Sequence, residues 1–111
     1  MIKLIASDLD GTLLPEGTMD VNPELFDVIR RLKKKGVTFA AVSGREYDSI
    51  AKVFEPVKDD IYFIAGNGGV ISYQGQIIEK TAIEPELFKE AVEYARAQKG
   101  ISFMTAGSAK V

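Results

Sequence analysis

"LIASDLDGTLLPEG", residues 4–17, opens as a buried strand and then breaks its own pattern. Leu4, Ile5 and Ala6 are residues a chain hides from water, yet Asp8 and Asp10 follow two positions apart, with Gly11 and Thr12 behind them. Two carboxylates at the mouth of a hydrophobic strand repel one another and lose hydration. Alternation along extended backbone puts both on one side, with Leu9 turned away. The pair therefore needs a purpose, and the rest of the chain supplies the context.

Outward from this stretch the elements alternate. "NPELFDVIRRLKKKG" carries a helix start and stop: Asn22 can cap, Pro23 suits the first turn, and Gly36 suits the position just past the end. Leu25, Val28, Ile29 and Leu32 fall at helical spacing on one face. Lys33, Lys34 and Lys35 then sit where cations favour the helix dipole. "VTFAAV" reads as a second buried strand, followed by a helix with Tyr47, Ile50, Ala51 and Phe54 on one face and Pro56 closing it. "IYFIA" is a third strand, "VISYQGQII" a hairpin turning at Gln74-Gly75, and Pro85 to about Lys99 a third helix. "ISFMT", residues 101–105, is expected to start one more strand. Continuously apolar strands alternating with helices predict an α/β fold, a Rossmann-like parallel sheet with helices on both faces. The expected division is 1–81 as the core and 82–111 as the beginning of a second part.

In such a sheet ligands bind beyond the carboxyl ends of the strands. Asp8 and Asp10, Ser43, and Asn67 each follow a different strand, so they are expected on one rim. The chain's 111 residues contain neither cysteine nor histidine, which excludes disulfides, thiolate chemistry and Ser-His catalysis. Catalysis would have to run on carboxylates, hydroxyls, lysine, arginine and a hard metal ion. A net charge of −2 without a basic face argues against nucleic acid as a partner. No run is apolar enough to span a bilayer and no secretory signal opens the chain, so no membrane is expected and a cytoplasmic location is the default.

Paired carboxylates at a strand end suit Mg²⁺, and a carboxylate beside Mg²⁺ is a workable nucleophile toward phosphorus. Gly11 lets the backbone approach closely, and the amides beside it could receive phosphate oxygens. Ser43 stands at a strand-to-helix turn, where a hydroxyl and a helix N-terminus can share an anion. Singly, these signals are ordinary: "DG" is a turn, Ser43 an N-cap, Arg45 a surface helix residue and "GNGG" a loop with positive φ. Together they place polar groups after three successive strands, which independent turns have no reason to do.

"SDLDGTLL" resembles the first motif of the haloacid dehalogenase superfamily, Asp-x-Asp-Gly-Thr after an apolar strand. "AVSGR" is similar to its second motif, and "AGNGGVI" to the Asn-Gly segment of the branch with a large α/β cap, type IIB, rich in sugar-phosphate phosphatases. The match runs from Met1 to about Thr81, with the following residues resembling the entry into the cap. The resemblance implies that Asp8 is the phosphoryl-accepting nucleophile and a Mg²⁺ ligand. It implies that Asp10 is the general acid/base and binds Mg²⁺ through its backbone carbonyl. Gly11, Thr12, Ser43 and Gly44 would bind phosphate, while Arg45 and Asn67 would face substrate or cap. "LPEGTMD" would be a flap-like excursion near the site. The substrate would be a small phosphorylated metabolite.

The family's third-motif lysine and fourth-motif acids lie beyond the cap, whereas this sequence stops at Val111. An N-terminal portion alone is expected to show little or no activity. In the family's strand order, 5-4-1-2-3, the first strand is central; here it is expected at an edge, inviting a homodimer or a partner chain that completes the sheet. A non-catalytic, self-associating or partner-binding module is thus the alternative to a phosphatase. A receiver-type phospho-acceptor is set aside, because it needs an Asp where this chain has Ala65-Gly66-Asn67.

Overall fold

Leu4–Asp8 form the first strand, β1, and Thr38–Val42 the second, β2, joined by helix α1, Glu24–Lys34. The computed structural model describes residues 1–104. Helix α2, Tyr47–Val53, and a 3₁₀ turn, Glu55–Val57, lead to β3, Tyr62–Ala65. A second 3₁₀ turn, Gly66–Gly68, precedes the hairpin of β4, Val70–Tyr73, and β5, Gln76–Lys80. The chain divides into two units, Met1–Thr81 and Ala82–Val111. Within the second unit, Pro85–Ala97 form helix α3, with Pro85 in its first turn and Leu87 and Phe88 exposed.

The first unit is an α/β domain with one open sheet in the order β1-β2-β3-β4-β5. β1, β2 and β3 run parallel, Ala6 beside Ala40 and Ala40 beside Tyr62; the hairpin joins antiparallel, making the sheet mixed. The expected turn falls at Gln74 (φ 51°) and Gly75 (φ 73°), the paired left-handed conformation of a tight hairpin. β4 runs away from the C-terminal rim and β5 returns to it, where the Thr81 amide donates to Gly69 O at 2.9 Å.

The layering departs from expectation in one respect. Phe39, Ala41, Phe63 and Ala65 project into the same core as Ile29 of α1, Ile50 of α2 and Phe54 just past the end of α2, so both helices cover one face. The cause is handedness: strands ordered 1-2-3 with right-handed crossovers put both helices on the same side. On the opposite face Tyr62 and Tyr73 stack at 4.4 Å, and Val42, Ile64 and Ile71 are half-buried. The covered face is tightly filled. Phe54 and Phe63 are fully buried and meet edge-on at 6.2 Å, so truncating either to Ala would cost about 3–5 kcal/mol.

Two boundaries also differ. α3 ends at Ala97, two residues before Lys99, and Ile101–Met104 form no strand; Thr105, the last residue of that expected strand, lies outside the described residues. A short apolar run reads as a strand only while a neighbouring strand supplies the ladder, and none pairs with Ile101–Met104.

Candidate active site at the strand ends

Leu9 decides how the first carboxylates are presented. It is fully buried, and its carbonyl accepts the amides of Thr12, Leu13 and Leu14 at 3.2, 2.9 and 2.8 Å. Leu14, also buried, returns the bond by accepting the Gly11 amide at 2.9 Å. Two leucines thus plug a tight loop into the core, and Asp8 and Asp10 are left exposed on either side of Leu9. Gly11 takes φ 77° within this loop, a conformation that costs other residues about 1–2 kcal/mol. The same bonds differ from the expectation at Gly11: the Gly11 and Thr12 amides turn inward to the loop's own carbonyls rather than toward an anion.

The Thr12 hydroxyl donates to Asp8 Oδ2 at 3.0 Å. This fixes the carboxylate's rotation and leaves its other oxygen outside that bond. Asp10 is held differently. Arg45 Nε donates to Asp10 Oδ2 at 2.9 Å and Nη2 to Oδ1 at 2.5 Å, a fork that occupies both oxygens.

Ser43 directly follows β2 and is buried; its amide donates to Ile64 O at 3.0 Å, which locks it to β3. Its Oγ accepts the Arg45 amide at 3.1 Å. α2 begins only at Tyr47, so Ser43 closes the turn rather than capping the helix, and the expected share of a helix N-terminus is absent at this position. Asn67 follows β3, its amide donating to Ser43 O at 3.2 Å, and the Gly66 amide donates to Arg45 O at 2.9 Å. Gly66, Asn67 and Gly68 all take positive φ (55°, 56° and 91°), which is why this turn is written Gly-Asn-Gly. A Cβ on Gly44 would lie 2.8 Å from Asn67 Oδ1, so the absence of a side chain there sets how closely the two turns approach.

The structure therefore gathers Asp10, Ser43, Gly44, Arg45 and Asn67 into one bonded group. Asp8 and Thr12 form a second group, two residues away along the chain. The sequence reading named each of these residues but missed the Asp10–Arg45 fork and the supporting role of the Gly66 amide. The only signal for the fork was a lone cation among strand-end carboxylates.

A model of the family described as haloacid dehalogenase-like hydrolase matches residues 5–111. The chain belongs to the haloacid dehalogenase-like hydrolase family. Among curated members, it is 26% identical over 106 residues to a 5-amino-6-(5-phospho-D-ribitylamino)uracil phosphatase of Escherichia coli, covering 96% of this chain and 39% of that protein. It is 31% identical over 80 residues to a phosphoglycolate phosphatase of Sulfolobus acidocaldarius, covering 71% of this chain and 35% of that protein. A crystal structure from Eubacterium rectale superposes with a TM-score of 0.82 at 35% identity, over 86% of this chain and 36% of the other. The chain thus spans between a third and two-fifths of the length of these haloacid dehalogenase-like relatives.

Among the described residues no three acidic or other ligating side chains cluster. Asp8 and Asp10 nonetheless fit Mg²⁺, which binds through one or two carboxylates and fills its remaining positions with water and substrate phosphate. With the Asp10 carboxylate forked by Arg45, the Asp8 carboxylate is the side-chain donor on offer. No helix among the described residues is long and apolar enough to cross a membrane.

Proposed function

We propose that this chain carries the nucleophile and proton-transfer residues of a phosphomonoester hydrolase acting on small phosphorylated metabolites, sugar phosphates among them. The observation that carries the reading is Asp8, exposed at the end of β1 and rotationally held by Thr12, within a chain whose curated relatives are named phosphatases. Mg²⁺, held by the Asp8 carboxylate and the Asp10 backbone carbonyl, would supply neutralising charge to the phosphate.

In the first step an Asp8 carboxylate oxygen attacks phosphorus. The new O–P bond forms as the P–O bond to the leaving alcohol breaks, and Asp10 delivers a proton to that alcohol oxygen. In the second step water attacks the aspartyl phosphate and gives its proton to Asp10. Inorganic phosphate leaves and Asp8 is restored. Ser43, whose Oγ donates to no protein acceptor among the described residues, has its proton available for a phosphoryl oxygen.

Asp8→Asn is the test. Turnover of an aryl phosphate with excess Mg²⁺ by the native polypeptide should fall by roughly four orders of magnitude or more, with the thermal midpoint retained. Wild-type-like turnover would refute the assignment. Among the described residues β1 has a strand on one side alone, which favours a second reading, a module that binds a partner through its sheet; its test is the association experiment given in the Discussion.

A further inference from the structure

Arg45 spends its guanidinium on the proposed proton donor. The fork to Asp10 engages both carboxylate oxygens and turns the carboxylate toward the guanidinium, so a group that takes the fork over frees both oxygens at once. The backbone of Arg45 is fixed independently of its side chain, its amide held by Ser43 Oγ and its carbonyl by the Gly66 amide. The Arg45 and Asp10 side chains are 26% and 56% exposed, which leaves the pair within reach of an anion arriving from solvent. A guanidinium fork matches phosphate as well as carboxylate, and a phosphoryl dianion brings more charge to it.

We propose that Arg45 is a partner-exchanging clamp: it holds Asp10 aside in the free site, and an arriving phosphoryl group takes over the fork and releases the Asp10 carboxylate, which takes up a proton from solvent and passes it to the leaving alcohol oxygen. This rests on the phosphatase reading above. It gives the site an order of events, because the acid is set free only when a phosphoryl group is present. It also makes Asp10 a competitor of the substrate for one cation, so part of the phosphate affinity is spent on breaking the internal pair.

The test is a double-mutant cycle on binding of inorganic phosphate, read by calorimetry with Mg²⁺ present, on the native polypeptide and its Asp10→Asn, Arg45→Gln and doubly substituted forms. Asp10→Asn should bind phosphate about tenfold more tightly, since the neutral amide no longer holds the charged fork. In the Arg45→Gln background that gain should vanish. A gain of equal size in both backgrounds would reveal plain removal of negative charge and overturn the exchange, as would no gain at all. Should Arg45→Gln fail to fold, Arg45→Lys replaces it, with the gain expected to shrink at least about threefold because an ammonium cannot fork. Phosphate that binds but fails the cycle sinks the exchange alone. Phosphate that binds none of the four proteins at millimolar concentration sinks the exchange together with the hydrolase reading.

Discussion

Ser72 stands on β4 beside Phe63 of β3, its hydroxyl enclosed and without a hydrogen-bond partner among the described residues. An enclosed, unpaired hydroxyl costs about 1–3 kcal/mol relative to one that is paired or absent. Ser72→Ala removes the oxygen with little change in volume, so it should raise the thermal midpoint of the domain by several degrees, at about 4–8 °C per kcal/mol for a unit of this size. Calorimetric melting checks this, and a lowered midpoint would show that a buried water satisfies the group. Asp8, Asp10 and Asn67 were legible because their positions follow from local rules: alternation along a strand, and glycine-flanked turns after one. The Asp10–Arg45 fork was not legible, since it joins residues 35 positions apart and no periodicity encodes it. The clearance between Gly44 and Asn67 was hidden for the same reason.

α1 is an element whose ends were written plainly. Asn22 Oδ1 accepts the Glu24 amide at 3.0 Å, and Gly36 turns the chain out with φ 74°. Its apolar stripe was legible as well, although Val28 lies at the stripe's margin and remains exposed while Ile29 is buried. What could not be read was how the helix is tied to its neighbour. Arg30 Nη2 donates to Pro56 O at 3.2 Å, and Lys33 pairs with Asp60. The hydrogen bond that the Lys33 ammonium donates to Asp60 raises its pKa above the ordinary lysine value. A raised lysine contributes stability that is fully present below its unfolded value and lost as pH climbs through its folded one. The pair should therefore help hold α1 at neutral pH and fade under strongly alkaline conditions. Melting curves of Lys33→Met and wild type should converge as pH rises beyond the ordinary lysine range. A difference unchanged by pH would show that the lysine acts through its methylene packing instead.

At the scale of the molecule, β1 is an edge strand that among the described residues pairs only with β2, and Leu4 on it is 57% exposed. Neither proline nor a bulge interrupts Leu4–Asp8, and the half-buried Val42, Ile64 and Ile71 extend an apolar face from it. Such an edge invites pairing with another chain. Polypeptide 1–111 should therefore self-associate, most simply as a two-fold dimer through β1. Sedimentation equilibrium across a wide concentration range decides it, and a monomer at every concentration would refute it. The order of the first three strands was legible through the family's strand order, whereas the side the helices take needed the handedness rule applied to that order. The hairpin carries one more consequence, a matter of parity. After β3 has climbed to the rim, a single reversed strand would drop the chain at the far end of the sheet, near Asp59, where Gln74 Nε2 donates to Asp59 O at 3.4 Å. Two strands are an even number, so Thr81 arrives back at the rim on which Asp8 and Asp10 stand, and any polypeptide following it starts from the doorway of the candidate site.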